Sequence, residues 1–248
     1  MEISAYSVIG TTRQDNQDSF YAAKLGDDKA LLAVFDGMGG LSDGARTSAT
    51  VLKHVKDMVK KSLSTGILDV EKAVRDANYE IYLRTKGSGS KRPSGSTVTI
   101  MIIDGLKARI WHAGDSRAVL IRNNEKTVLT HDDTAYNYYY AEAKVPIDLY
   151  NKRKYKSTLV RAVGVQENVK LTIRDYDLEK GDTVLLCSDG FWHSIFTKDR
   201  NGNPLVALPE EGIGDSLKHI ISQIEDKGEK DNITAVVVEG IHAKKSVC

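Results

Sequence analysis

The sequence predicts an α+β chain whose strands run antiparallel, on three observations. Strand-like runs come in pairs joined by short turns, at 97–112 and at 116–129. Helical periodicity is confined to two adjacent stretches after residue 43 and one from Gly212 to Ile224, instead of alternating with strands as a parallel βαβ chain requires. Five strand-like runs carry an aspartate at one end, which marks one edge of a sheet as the place where acids meet.

In chain order, residues 3–35 supply three strand-like segments, the last an unbroken apolar run from Ala30 to Phe35, long enough for a buried strand. It ends on Asp36, and three glycines follow in Gly37-Met38-Gly39-Gly40, letting the backbone turn tightly and approach a ligand closely. From Asp43 the period lengthens: Ala45, Ala49, Leu52, Val55 and Val59 fall at helical spacing, with Ser42 or Asp43 as the cap. Val70, Ala73, Val74, Ala77 and Ile81 form the stripe of a second helix. Both stripes are expected to face the core and to carry no chemistry. Lys86 to Gly95, rich in Gly and Ser, reads as a surface loop. Thr97–Ile103 and Leu106–His112 meet at Asp104-Gly105, a hairpin signal. Ser116–Ile121 and Lys126–Leu129 flank a second one. The pattern dissolves from His131 to about Val160. It resumes with strands at Lys170–Tyr176 and Thr183–Cys187, the helix from Gly212, and a closing strand at Ile233–Glu239.

A chain of 248 residues buries roughly 70–75% of its unfolded surface, ample for a sizeable core. We expect one domain over 1–248. With 35 basic and 34 acidic residues the net charge is +1, so no global field draws the chain to nucleic acid or to a membrane surface. Two cysteines, Cys187 and Cys248, make no disulfide framework and suit a reducing compartment. Met1-Glu2-Ile3-Ser4 lacks the basic start and apolar core of a signal peptide, and no apolar run approaches the ~20 residues of a spanning helix. A cytoplasmic monomer is the expectation.

The aspartates carry the chemistry. Asp36 closes one apolar run; Ile110 to Ala113 leads into Gly114-Asp115-Ser116-Arg117, and Val184 to Cys187 into Ser188-Asp189-Gly190. Asp231-Asn232 and Asp18 instead stand just before strand-like segments. A carboxylate at the mouth of a buried strand is costly without a positive partner. Several together are stable only around hard cations, which take oxygen ligands and keep some of their waters.

The ordered set Arg13…Asp18, Asp36-Gly37-Met38-Gly39-Gly40, Gly95-Ser96-Thr97, Gly114-Asp115-Ser116-Arg117, Ser188-Asp189-Gly190 and Asp231-Asn232 resembles the metal-dependent serine/threonine phosphatases of the PP2C type, in a bacterial-like variant. The resemblance runs from about Ser7 to Val238, and six motifs in order are specific where Ser-Asp-Gly alone is not. It implies a four-layer α-β-β-α sandwich of two stacked antiparallel sheets, with a flap subdomain at about 132–160. It also implies two tightly bound Mn²⁺ or Mg²⁺ ions and a possible weaker third.

The resemblance makes Asp36 the bridging ligand, joined by the Gly37 carbonyl, Asp189 and Asp231. Asp18 becomes an outer acid that orients an ion through water, as Gln17 does more remotely. Arg13 becomes the phosphate clamp, its planar fork matching two phosphate oxygens. Asp115 either helps Asp189 hold the third ion or accepts hydrogen bonds within its own turn. Arg117 is expected to be structural, paired with a carboxylate, and His112 a satisfied core histidine. Met38 stands where animal relatives carry a histidine proposed as the acid for the leaving group, which leaves that acid unidentified. In the flap, Tyr136, Tyr138, Tyr139, Tyr140, Tyr150 and Tyr155, with Lys152, Arg153, Lys154 and Lys156, either grip a phosphopeptide or form the flap's own small core.

The implied activity is hydrolysis of phosphoserine and phosphothreonine in phosphoprotein substrates, by direct attack of a metal-bridging hydroxide. The natural partners are a Ser/Thr kinase and its targets. Two other readings share the fold: a binding module of the same shape without turnover, which would have lost its acids, and a two-metal phosphohydrolase of small phosphate esters. Cys187, inside an apolar run, is no nucleophile.

Overall fold

The computed structural model describes residues 1–39, 43–87, 93–142 and 152–243. Gly40, Ser42, residues 88–92 of the expected loop, Tyr150 and Cys248 lie outside them, as do the side chains of Tyr140, Lys152, Arg153 and Lys154. The elements follow as β1 (Glu2–Val8), β2 (Asp18–Lys24), β3 (Lys29–Met38), α1 (Asp43–Thr65), α2 (Val70–Gly87), β4 (Gly95–Ser96), β5 (Val98–Asp104) and β6 (Lys107–Ala113). Then come β7 (Arg117–Arg122), β8 (Glu125–Val128), a π-helical segment (Tyr136–Glu142), α3 (Lys152–Ser157), β9 (Thr172–Asp177), β10 (Thr183–Cys187), α4 (Asp189–Phe196), α5 (Ile213–Asp226) and β11 (Ile233–Glu239).

Every strand pairing is antiparallel. One sheet has the order β1-β11-β10-β7-β8; the other runs β2-β3-β5-β6-β9, with β4 beside the end of β3. Alternation along the strands builds the layers, because successive side chains point to opposite faces. In β3, Leu31, Ala33 and Phe35 pack with Val51, Val55, Val74 and Ile81 of α1 and α2. Leu32 and Val34 turn the other way and meet Leu186, Val236 and Val238 of the facing sheet. That sheet's outer face, with Leu185, Ala235 and Val237, receives Phe191 of α4 and Leu217, Ile220 and Ile224 of α5. Three apolar layers therefore hold four structural ones together, and each fully buried side chain the size of Phe35 contributes roughly 1.5–3 kcal/mol.

Both expected hairpins form. In the first, Asp104 pairs with Lys107, so the turn is made by Gly105, at φ 64°, and Leu106. In the second, Asn123 and Asn124 take φ of 51° and 63°, the conformation a two-residue hairpin needs. The stripe read for the start of α1 needs correction. Ala49 is exposed, and the buried face there consists of Gly44, Thr47, Ser48 and Val51. Polar side chains win because they have partners: Thr47 donates to the carbonyls of Gly44 and Gly95, and Ser48 to that of Gln17. Those partners belong to the loops around Asp36.

Candidate active site

Antiparallel pairing brings the starts of β2 and β11 and the ends of β3, β6 and β10 to one rim. In the β2–β3 ladder, Asp18 lies directly opposite Asp36. Asp115 follows β6 in the tight turn at Gly114, Asp189 opens α4, and Asp231 stands two residues before β11. Arg13, Gln17, Asp36, Gly37, Met38, Gly39, Thr97, Asp115, Asp189 and Asp231 line a cavity of about 250 Å³, with Ser157 and Leu159 reaching it from the end of the flap. Asp18 sits behind this lining, buried, where its Oδ2 accepts a hydrogen bond of 2.7 Å from Ser188 Oγ. All the site residues expected from the sequence thus meet at one place.

Glycines permit the close approaches. A Cβ on Gly37 would lie 2.1 Å from the Gly44 carbonyl oxygen, and one on Gly190 would lie 2.2 Å from that of Asn232. The end of β3 is therefore in backbone contact with the start of α1, and the start of α4 with the approach to β11, which brings Asp189 and Asp231 near one another.

Electrostatics make this grouping unstable on its own. Burial, then the charges of Asp18, Asp189, Asp115 and Asp231, push the Asp36 carboxyl well above its usual range. Burial likewise raises Asp18 to about 7 and, with Asp189 as the next cause, Asp115 to about 8. Asp189 is raised by burial and by Asp231. Like charges directly across a ladder are destabilising, and Asp18–Asp36 is such a pair. Two buried carboxylate oxygens, Oδ1 of Asp18 and Oδ1 of Asp189, have no hydrogen-bond partner. Oxygen-only donors, repulsion between them and unsatisfied buried acceptors fit divalent hard cations. Among the described residues, no three His, Cys, Asp or Glu side chains close into a cage around one ion.

Arg13 is at the cavity wall, with its fork turned to Asp231: Nη2 donates to Oδ2 at 2.6 Å, and this bond is the main cause that raises the guanidinium's pKa. Arg117 is structural, as expected, with Nε and Nη2 both on the Asp132 carboxylate, at 3.0 and 2.7 Å. His112 is a satisfied core histidine; Nε2 donates to the His131 carbonyl, Nδ1 meets Thr99 Oγ1, and burial lowers its pKa. Of the flap tyrosines, Tyr138 and Tyr139 are largely exposed and pack edge to face on each other.

Four residues of the site received no role from the sequence. Thr97 Oγ1 accepts the Asp36 N–H at 2.9 Å and bonds Ser116 Oγ at 2.7 Å, fixing the end of β3. Ser188 joins Asp18 to the Thr234 N–H. Asn232, 3% exposed, accepts the Gln17 N–H and donates to the carbonyls of Ile9 and Asp15, tying the Arg13 loop to β11. Trp192 donates from Nε1 to the Asp115 carbonyl. The motifs quoted above contained Thr97, Ser188 and Asn232, so the signal was present; Trp192 shows only once Asp189–Phe196 is known to be a helix.

Comparison with known proteins agrees with this geometry. The family model described as protein phosphatase 2C matches residues 11–222. The chain is 29% identical over 240 residues to the serine/threonine protein phosphatase PstP of Mycobacterium tuberculosis, covering 96% of this chain and 45% of that relative. It is 27% identical over 248 residues to the protein phosphatase PhpP of Streptococcus pneumoniae, covering 96% of this chain and 97% of that one. A crystal structure of the catalytic domain of PstP in complex with two manganese ions superposes with a TM-score of 0.71 at 27% identity, covering 96% of this chain and 97% of that one. The chain spans about half the length of PstP.

Proposed function

Because the chain belongs to the protein phosphatase 2C family, we propose that it is a metal-dependent protein phosphatase that hydrolyses phosphoserine and phosphothreonine monoesters. The observation that carries the reading is the rim of mutually repelling carboxylates with two orphaned buried oxygens, next to an arginine and a family match over most of the chain. Its substrates are phosphorylated proteins, and its counterpart is the kinase that phosphorylates them. The other acids it would have to lack as a bare binding module are all present. Ser157 and Leu159 bring the end of the flap to the cavity wall, where it can meet the chain that carries the phosphate, which favours a protein-borne phosphate over a small ester.

Two Mn²⁺ or Mg²⁺ ions would be held by Asp36, the Gly37 carbonyl, Asp189 and Asp231; Asp115 with Asp189 would hold a weaker third. Such ions supply an activated water near neutral pH and screen the charge of a phosphate. The chain's own part is to keep these oxygens in place and to orient the ester. Thr97 and Ser188 fix the backbone of Asp36 and the carboxylate of Asp18. Arg13, charged at every relevant pH, turns from Asp231 to two oxygens of the phosphate, its fork matching their spacing. Met38 at the cavity wall has no proton to give, so the leaving alkoxide takes its proton from elsewhere.

No helix among the described residues is long and apolar enough to cross a membrane. Cys187 is free and buried, and we read the working compartment as the cytoplasm and the one-domain chain, flap included, as a monomer.

The test is phosphate release from a panel of phosphoserine and phosphothreonine peptides. We expect turnover with added Mn²⁺, none with chelator, and a loss of at least about two orders of magnitude in Asp36→Asn and Asp231→Asn. Full activity of the chelated protein, or none on any phosphopeptide with Mn²⁺ present, overturns the assignment.

A further inference from the structure

The first turn of α4 faces the Gly114–Arg117 turn with two side chains. Asp189 opens the helix and Trp192 stands three residues on, so the two share a face. Trp192 Nε1 donates to the Asp115 carbonyl at 2.9 Å, while its own backbone N–H donates to the Ser188 carbonyl at 3.2 Å. The Asp115 turn has other supports, and all come from elsewhere in the fold. Gly114 is pressed against Thr97 and exchanges hydrogen bonds with Asp133, its N–H to Oδ2 and its carbonyl from the Asp133 N–H. Trp192 gives the hydrogen bond that joins this turn to the helix that bears Asp189; Phe196, at the far end of that helix, meets the turn only through its ring, 5.4 Å from the Arg117 guanidinium.

The indole does a second thing. The Arg117 guanidinium lies over its ring, 3.5 Å from the centroid, and is bound through two nitrogens to Asp132. Asp132 is the first residue of the flap region, and its carbonyl accepts a hydrogen bond from the Asn137 side chain. A continuous path of contacts thus runs from the flap base through Asp132 and Arg117 to Trp192 and the Asp115 carbonyl, and Trp192 sits on the helix that Asp189 opens.

We propose that Trp192 is a positioning residue: it sets the spacing between Asp115 and Asp189, and thereby the affinity of this pair for the weaker third divalent ion. The inference rests on the reading of these two aspartates as ligands of that ion. An indole is suited to the task because its ring is rigid, its one donor is fixed in direction, and its face accepts a cation.

Trp192→Phe keeps a ring beneath Arg117 and deletes the donor. Mn²⁺ titration by calorimetry on this variant, on Asp115→Ala and on the unmodified protein separates the possibilities. We expect the two tight steps to be unchanged in Trp192→Phe, the weak step to lose about three- to tenfold in affinity, the size of one hydrogen bond, and the unfolding temperature to hold. We expect Asp115→Ala to lose the weak step altogether. A weak step intact in Trp192→Phe but gone in Asp115→Ala overturns the role of Trp192 while keeping the third-ion reading. A weak step intact in Asp115→Ala overturns both. A general loss of all steps together with a lower unfolding temperature makes Trp192 merely structural. A second measurement does not depend on that variant folding. The chain has two tryptophans, so Trp111→Phe leaves Trp192 as the only indole. Its emission is expected to change across the weak step of the Mn²⁺ titration, and an emission constant across that step overturns the proposal.

Discussion

Asn232 does the work of several residues at one position. A single amide accepts from the Gln17 N–H at 2.8 Å and donates to the carbonyls of Ile9 and Asp15 at 2.8 and 3.1 Å. Asn232→Ala leaves these backbone groups unpaired around a buried position, at a cost of about 2–3 kcal/mol. We expect a lower urea midpoint and, because the freed loop carries Arg13, a raised KM for phosphopeptides. A midpoint within error of the unmodified protein would show that the loop holds without it. Arg13 itself gives the cleaner split: Arg13→Ala should weaken inhibition by free phosphate and raise KM while Mn²⁺ still binds. Unchanged phosphate inhibition returns Arg13 to a partner of Asp231 and nothing more. Met38 makes the opposite kind of prediction. An aryl phosphate leaves as a weakly basic phenolate and barely needs a proton, whereas a serine alkoxide needs one badly. Since Met38 supplies none, Met38→Ala should slow both substrates by a similar modest factor. A selective collapse of peptide turnover would mean that residue 38 assists departure of the leaving group.

At the scale of elements, α4 is the piece whose placement matters most and which the sequence disclosed least. It follows β10 after one residue and runs for only eight, too short for a helical stripe to stand out. Although Ser188 and Asp189 are residues that start helices, the Ser188 hydroxyl donates to Asp18 and makes no capping bond. Its position is set instead by Gly190, where a Cβ would meet the Asn232 carbonyl at 2.2 Å. Gly190→Ala should therefore push α4 off β11, costing about 1–3 kcal/mol and weakening Mn²⁺ binding through Asp189. Unaltered unfolding temperature and titration in that variant would contradict the close approach. The strands were legible for the reverse reason. β3 and β11 are buried on both faces, against two different apolar layers, so they show as unbroken apolar runs. β10 and β11 fall where expected, the strands of the two hairpins and β9 within a residue or two, and β3 runs three residues past Phe35. Helix α1 was legible in extent but misread in face, because Thr47 and Ser48 are buried by hydrogen bonds to loops that are distant in sequence. The acids of the site were legible through motif order. The residues that hold them, Trp192 above all, depend on contacts across the fold that no local pattern records.

The whole molecule carries a net charge of only +1, yet it gathers acids at one rim. Folding therefore works against charge repulsion there, and the consequence is a stability that depends on pH and on divalent ions. A carboxyl raised by folding keeps a proton that the unfolded chain has already released. Its contribution to stability is complete below the ordinary carboxylate range near 3.8 and is lost as pH rises through the folded value, about 7 for Asp18 and about 8 for Asp115. In chelator, the unfolding temperature should accordingly fall as pH is raised from 6 toward 8, by roughly 2–4 °C for each kcal/mol lost. Mn²⁺ replaces the protons as the counter-charge, so it should raise the unfolding temperature most at the alkaline end and flatten the slope. Asp36→Asn removes a carboxyl that burial and four neighbouring acids push well above its usual range. In chelator at pH 8 this inactive variant should be more stable than the unmodified protein, and it should gain less from Mn²⁺, because the repulsion lost and the ligand lost are the same carboxylate. Thermal scans of both forms, with and without Mn²⁺ at pH 6 and 8, measure all of this at once. If Mn²⁺ leaves the unmodified protein's unfolding temperature unchanged at both pH values, the acids at the rim are not its binding site.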